Sequence, residues 1–153
     1  MFEKKVNDET ICSTDIKKWA NELEENPDEI LNQVQEWDDK QWALFGYFEF
    51  DPYYIEDITQ LDISTDEVQV GPQRFYVLDD DEADEKADEY LDSYIEDCVL
   101  NEVPKNLWQY FDDEKFKEDV LDYDGRGQQL ATYDGYENEV KVDGKTYYIY
   151  RTN

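Results

Sequence analysis

The residues of this 153-residue chain that could do chemistry are almost all carboxylates. Aspartate and glutamate number 42, against 14 lysines and arginines, and there is no histidine. Without histidine the commonest general base is missing, as is every site in which histidine activates a serine or cysteine or binds a metal ion. Carboxylate pairs are too abundant here to indicate glycoside chemistry. The sequence therefore predicts a protein that is not an enzyme, with no cofactor and no metal site.

One segment begins like a calcium-binding loop. Asp122-Tyr123-Asp124-Gly125 is similar to the start of an EF-hand loop, but the twelfth position counted from Asp122 is Tyr133 rather than the required bidentate glutamate. Gly125-Arg126-Gly127 is too short for a phosphate-binding loop and follows a predicted helix rather than a strand. We interpret these glycines as the end of a helix and a turn.

The densest group of carboxylates lies on one predicted helix, Leu78 to Leu100. Apolar residues recur there every three or four positions, which predicts a buried stripe that packs on the core: Ala83, Ala87, Tyr90, Leu91, Tyr94, Ile95, Cys98 and Val99. The other side carries one base, Lys86, and eleven carboxylates: Asp79, Asp80, Asp81, Glu82, Asp84, Glu85, Asp88, Glu89, Asp92, Glu96 and Asp97. These carboxylates span about 28 Å, or about one charge every 2.6 Å. One strand of B-DNA has a phosphate about every 3.4 Å, so the two charge spacings are comparable.

Two explanations of this acidic face stay open on the sequence alone. Most acidic runs are solvated helix faces, and the carboxylates of Asp79 to Glu82 lie at the helix N-terminus, where they complement the helix dipole. Those of Asp88 to Asp97 oppose the dipole, so helix chemistry does not account for them. We expect the eleven carboxylates to form a partner-binding surface that continues into the acids of residues 49–67. In this surface Asp84, Asp88 and Asp92 are expected to face water.

Net charge and composition restrict the class of protein and of partner. A formal net charge of −28 with low hydropathy favours disorder, but 4 tryptophans, 13 tyrosines and 7 phenylalanines indicate a folded aromatic core. Residues 41–104 alone hold 19 acids and 2 bases. Such charge repels nucleic acid and anionic membranes and favours a basic protein partner. Because no signal core or membrane-spanning run is found, we expect a cytoplasmic protein.

Periodicity and turn signals predict the elements that position this face. Helices are expected over Asp15–Glu25 with Ser13 or Thr14 as the cap, over Pro27–Trp37, and from Asp112 or Asp113 to about Tyr123. Trp42–Phe50 is expected to be a strand or extended segment, because aromatic residues dominate it.

Two antiparallel hairpins are also expected. One joins Val68–Val70 to Arg74–Leu78, and the other surrounds Asp143-Gly144 near the C-terminus, a dipeptide that suits a type I′ turn. Cys12 and Cys98 are not expected to form a disulfide framework. The sequence thus predicts a single α+β domain, residues 1–153, with several helices and short hairpins.

The segment Asp124 to Val140, together with Tyr147 to Asn153, resembles small acidic proteins encoded by bacteriophages and other mobile elements. The acidic helix resembles one found in the same group. Residues 110–121 followed by a glycine turn are also similar to ArdA-type antirestriction proteins, which are DNA mimics. The resemblance implies a viral or mobile-element origin more than an activity. Together with the charge spacing on the acidic helix and the charge of residues 41–104, such an origin favours an inhibitor that occupies the basic DNA channel of a CRISPR effector or restriction enzyme in the host cytoplasm. We expect this inhibitor to be a monomer or homodimer.

Three other functions compete with this hypothesis. A phage regulator or adaptor could bind a basic host protein without imitating a duplex. A halophilic cytosolic protein would carry similar acidity for solubility, but its charge should be evenly spread, unlike that of residues 41–104. An enzyme is the third alternative, against which the absence of histidine argues.

Overall fold

Six antiparallel strands form one sheet, in the order β2-β1-β5-β6-β4-β3, in the computed structural model, which describes residues 2–153. The strands are β1 Glu3–Val6, β2 Glu9–Cys12, β3 Glu67–Val70, β4 Gln73–Asp79, β5 Asn138–Val142 and β6 Lys145–Arg151. The α-helices are α1 Ser13–Leu23, α2 Pro27–Gln35, α3 Asp39–Tyr47, α4 Ile55–Thr59, α5 Asp80–Tyr94 and α6 Asp113–Leu130. The expected α+β fold class is confirmed.

Both faces of the sheet are covered by helices. In β4 and β6, alternate side chains point to opposite faces, as strand geometry requires. Phe75, Val77 and Ile149 join the larger core with residues of α1 to α4, whereas Leu78 and Tyr150 join a smaller core with α5 and α6. The molecule therefore has two helical layers, and the acidic helix α5 lies on the opposite side of the sheet from α1 to α4.

The prediction that Trp42–Phe50 is a strand or extended segment is wrong. Most of this segment lies in helix α3, which begins after Asp38, whose side chain accepts a hydrogen bond from the backbone N–H of Lys40 at 2.9 Å. Trp42 and Phe45 are almost completely buried and make edge-to-face contacts with Trp37. A helix that is buried around most of its circumference is apolar on all sides, so its sequence shows neither a helical nor a strand periodicity.

The first strands were not predicted, because β1 and β2 are short and rich in charged residues. The cap prediction for α1 is also wrong, since the helix already includes Ser13 and Thr14 and its N-cap is Cys12. The Cys12 backbone N–H donates to the Asp15 carboxylate at 2.9 Å. That carboxylate satisfies a free donor at the helix start, so no Ser or Thr cap is needed.

Both predicted hairpins are confirmed. β3 pairs with β4, and β5 pairs with β6 through Asp143 (φ 49°) and Gly144 (φ 88°), the two positive φ values that a type I′ turn requires. Helix α2 begins at Pro27 as predicted, with Asn26 as the cap.

The predicted end of the last helix near Tyr123 is confirmed. Asp112 caps α6 as expected, and the helical geometry breaks at Gly125, whose φ of 78° and ψ of 170° are not helical. A second helical segment, which the sequence does not predict, follows this break and reaches Leu130, so α6 consists of two helices joined at a glycine kink. Within residues 2–153, no helix is both long enough and apolar enough to cross a membrane.

Candidate functional site

Helix α5 carries most of the predicted partner-binding residues, and β4 determines where the helix begins. Asp79 is the last residue of β4 and the N-cap of α5. Its carboxylate accepts from the Glu82 N–H at 2.8 Å, and the Glu82 carboxylate accepts from the Asp79 N–H at 3.0 Å. This reciprocal capping box satisfies two donors and lowers the pKa of Asp79, whose first cause is the bond from Glu82. Asp79 and Glu82 are thus structural as well as acidic.

The predicted single helix from Leu78 to Leu100 is shorter than expected. After Tyr94 the chain forms a π-helical turn, Ile95–Val99, and then a 3₁₀ turn, Leu100–Glu102. A π-helical turn contains about one residue more than an α-helical turn. Side chains after Tyr94 therefore leave the α-helical register on which the prediction relied.

The buried stripe of α5 is narrower than predicted. Ala83, Ala87, Leu91 and Ile95, spaced by four, are buried as expected. Tyr90 and Tyr94 are each 43% exposed, and Cys98 is an exposed free thiol, so the prediction that these three are buried is wrong. The tyrosines flank the stripe, and the π-helical turn rotates Cys98 away from the core.

One edge of α5 faces α6 and is paired with two of its cations. Asp80, Asp84, Asp88 and Asp92 are spaced by four and form one stripe. The Arg126 guanidinium lies 2.9 Å from Asp80 and 3.0 Å from Asp84, and the Lys117 ammonium lies 2.8 Å from Asp88 and 2.9 Å from Asp92. Asp84, Asp88 and Asp92 face water as expected, since their side chains are 67%, 51% and 55% exposed. Each is also paired with a cation of α6, which the sequence does not predict.

Lys117 is surrounded by carboxylates. Its side chain is only 7% exposed, and its ammonium group also contacts Glu114 at 3.2 Å. The hydrogen bonds to Asp88 and then Asp92 raise the pKa of Lys117 against the opposing effect of burial. Three carboxylates share one cation, so the cluster retains two uncompensated negative charges.

Arg126 forms a second cluster of the same kind. Its guanidinium contacts Glu137 at 2.7 Å as well as Asp80 and Asp84, and it lies 4.6 Å from the centre of the Tyr148 ring. The buried Tyr150 hydroxyl donates to Glu137, and burial followed by this bond raises the pKa of Tyr150. Again three carboxylates share one cation, so the surface near α6 stays negative.

Sequence reasoning missed Lys117 and Arg126 as partners of the acidic face. Lys117 lies next to Phe116 and Val120 on a half-buried side of α6. A base at such a position is the one local indication that it has an acidic partner. For Arg126 the sequence indicates only a place in a glycine turn. Neither residue reveals its partners locally, because both contact carboxylates more than 20 residues away.

The outer side of α5 is free of internal ion pairs. Two of the eleven predicted residues pair with lysines outside α6, Asp79 with Lys145 and Glu82 with Lys40. Four more pair with cations of α6: Asp80, Asp84, Asp88 and Asp92. The remaining five are exposed and have no ion pair within residues 2–153: Asp81, Glu85, Glu89, Glu96 and Asp97. The structure thus divides the predicted face into a paired stripe and an open one.

Continuity with residues 49–67 is found at Asp66 and at Glu67, which lines a cleft of about 580 Å³ together with Glu89. The Lys86 ammonium bridges to Asp66 at 2.7 Å, and a shallow cleft of about 140 Å³ lies between Asp66 and the Glu82, Glu85 and Glu89 side of α5. The carboxylates of residues 49–57 belong instead to the layer of α1 to α4, because Ile55 packs in that core. The acids of residues 41–104 are consequently divided between two sides of the sheet.

The excess of carboxylates on helix α5 gives it the charge needed to attract cations and basic surfaces. In the part of the chain that the structure describes, no group of three or more potential ligands is placed to hold a metal ion. Comparison of the chain with protein-family models, with curated proteins and with solved structures finds no match.

Proposed function

We propose that the open side of α5 binds the basic DNA channel of a host DNA-binding complex, so that the protein acts as a DNA mimic. The targets with the required chemistry are CRISPR effectors and restriction enzymes, and the source would be a phage or another mobile element. The observation that carries this proposal is the internal use of the cations. Eight of the 14 bases are in ion pairs with 13 acids, which leaves 29 acids and six bases unpaired within residues 2–153.

The spacing of the exposed carboxylates supports the comparison with nucleic acid. The five open carboxylates between Asp81 and Asp97 span roughly 24 Å along the axis, which corresponds to one charge about every 5 Å. One strand of B-DNA has a phosphate about every 3.4 Å.

Average charge density supports assigning the proposed function to one local face. The surface area of 9,557 Å² gives about 340 Å² per net charge, whereas a B-DNA cylinder offers about 110 Å² per phosphate. The molecule as a whole is about three times too dilute in charge to resemble a duplex. Only a local concentration such as that on α5 supports mimicry.

The test is a competition assay with purified candidate effectors and a labelled target duplex. The variant Asp81→Lys, Glu85→Lys, Glu89→Lys should bind at least about 100-fold more weakly, since three charge contacts become repulsive. Binding of the unmodified protein should weaken steeply with added salt. The matched control is Glu3→Lys, Asp8→Lys, Glu9→Lys, which makes the same charge change on the exposed β1–β2 hairpin and should bind as the unmodified protein does.

Several outcomes would contradict mimicry. If inhibitor and duplex bind the effector together, the surface is an acidic adaptor and not a duplex substitute. If the hairpin variant loses as much affinity as the α5 variant, net charge and not the α5 face controls binding.

A second candidate is an acidic protein adapted to high salt. The occurrence of unpaired carboxylates on both helical layers favours it. Failure to bind any basic effector, together with unfolding midpoints that rise continuously up to molar KCl, would support this alternative.

A further inference from the structure

We propose that a groove on the opposite helical layer binds a basic protein segment by accepting an arginine side chain. The groove has a volume of about 440 Å³ and lies between the end of α1, α2, and the 3₁₀ turn Pro52–Tyr54 that precedes α4. Leu23, Pro52 and Tyr53 supply apolar surface, and Glu25, Glu56 and Gln60 supply oxygen atoms. This site is separate from α5 and does not depend on the function proposed above.

Tyr53 is the exposed aromatic residue of the groove. It is 82% exposed, whereas the neighbouring Tyr54 stacks on Phe48 with ring centres 4.0 Å apart. Among residues 2–153, no aromatic ring and no cation lies within stacking distance of the Tyr53 ring. Its backbone is held by Pro52 and by the Asp51 carboxylate, which accepts from the Tyr53 N–H at 3.0 Å. A partner can therefore stack on this ring with little loss of backbone entropy.

The charge around the groove favours a cationic occupant. No base lines it, and Lys40 is the one base between Trp19 and Gln73 in the sequence. Lys40 itself is paired with Glu82 at 3.0 Å. Glu25 and Glu56 are exposed and have no ion pair in the described part of the chain. A carboxylate thus stands on each side of the groove without a partner.

The end of α1 strengthens this preference. Glu22, Glu24 and Glu25 lie at the helix C-terminus, where the helix dipole is negative and no base occurs in the last turn. Glu24 also has a φ of 57°, a conformation that few residues other than glycine adopt. The local repulsion would be relieved by a bound cation.

The groove offers the Tyr53 ring, the carboxylates of Glu25 and Glu56, and the amide of Gln60. This combination favours arginine over the other cations. A guanidinium can stack flat on tyrosine while its N–H groups donate to carboxylate and amide oxygens, whereas an ammonium group or a metal ion does not use the ring in this way. A groove of this volume admits a long side chain. Nucleic acid and acidic peptides are excluded by repulsion.

The test uses capped five-residue peptides with a central arginine, lysine or glutamate, titrated into the isotopically labelled full chain and followed by backbone amide shifts. We expect the arginine peptide to shift residues 23–33 and 52–60, the lysine peptide to bind at least threefold more weakly, and the glutamate peptide not to bind. Tyr53→Ala and the pair Glu25→Gln, Glu56→Gln should each weaken arginine-peptide binding at least fivefold. The matched controls are Tyr123→Ala, which removes a tyrosine 93% exposed on α6, and the pair Glu118→Gln, Asp122→Asn. These controls should leave the affinity unchanged.

The proposal is overturned if the arginine peptide shifts α5 and the groove equally, or if Tyr53→Ala and Tyr123→Ala have the same effect. It is independent of the α5 proposal, because Asp81→Lys, Glu85→Lys, Glu89→Lys should leave the arginine-peptide shifts at residues 23–33 and 52–60 unchanged. Loss of those shifts in the α5 variant would count against a separate site.

Discussion

Lys117 places one ammonium group among three carboxylates at the contact between α5 and α6. Its side chain is nearly inaccessible, while Asp88 and Asp92 remain about half exposed. Loss of the cation would leave these carboxylates close together with no compensation. Because water still reaches them, the cost is smaller than for a fully buried ion pair.

We predict that Lys117→Met lowers the free energy of unfolding by about 1–2 kcal/mol. The physical cause is repulsion among the uncompensated carboxylates. The measurement is urea denaturation. The matched control is Lys115→Met, which removes an exposed lysine whose pair with Asp119 spans 3.4 Å, and it should change stability by less than about 0.5 kcal/mol.

In an Asp88→Asn, Asp92→Asn background the Lys117→Met change should lower the free energy of unfolding by less, because the carboxylates of Asp88 and Asp92 no longer carry charge. An equal cost in both backgrounds would show that packing of the lysine stem, and not its charge, stabilises the contact.

Helix α3 is the element that most affects the larger core. Its buried tryptophan and phenylalanine rings contact Trp19 of α1 and Trp37 of the segment between α2 and α3, and its Gly46 faces β1 and β5. A Cβ atom at Gly46 would lie 2.8 Å from a Val6 methyl carbon and 3.1 Å from one of Val140. These branched side chains have restricted rotamers, so the helix would have to move away from the sheet.

We predict that Gly46→Ala destabilises the protein by about 1–2 kcal/mol. Overpacking of a core costs about 1–3 kcal/mol, and alanine recovers at most about 1 kcal/mol of helix propensity. Thermal and urea denaturation measure the change, with Asn32→Ala on the exposed side of α2 as the control. A more stable Gly46→Ala protein would show that the glycine is not required for this close approach.

Low pH and high pH should both lower the free energy of unfolding, because three ion pairs join distant elements. Lys86 lowers the pKa of Asp66, the backbone bond from Glu82 followed by Lys145 lowers that of Asp79, and Lys4 lowers that of Asp143. A lowered carboxyl pKa gives stability that is present above the ordinary value of 3.8 and is lost as the pH falls through the folded-state pKa. The raised pKa values of Lys4 and Lys86 give stability that is present below 10.5 and is lost as the pH rises through their folded-state pKa values.

We therefore predict that the free energy of unfolding decreases below pH 3.8 and that this decrease is smaller in the Asp66→Asn, Asp79→Asn, Asp143→Asn protein. Asparagine retains the helix cap at position 79 while removing the titrating group. Denaturation curves at several pH values on either side of the isoelectric point of about 4.1, where solubility is lowest, give the comparison. If the free energy of unfolding falls equally in the two proteins as the pH is lowered, other carboxylates control acid unfolding.

Local features of this protein were determined by its sequence. The type I′ hairpin at Asp143-Gly144, the proline start of α2 and the Asp112 cap depend on a few neighbouring residues, and all three were predicted. The absence of histidine is likewise a matter of composition. Such features need no knowledge of which elements meet.

The identity of the buried and paired residues was decided by the tertiary structure. Trp42–Phe45 is helical and is covered by the surrounding elements on all sides, so its apolar residues show no helical periodicity in the sequence. On α5, the stripe of Asp80, Asp84 and Asp88 has the same local chemistry as that of Asp81, Glu85 and Glu89. Helix α6 packs on the buried stripe of α5, which places Arg126 and Lys117 beside the Asp80 stripe and leaves the Asp81 stripe without a cation. The local spacing of the carboxylates does not encode this difference, because it depends on contacts between distant segments.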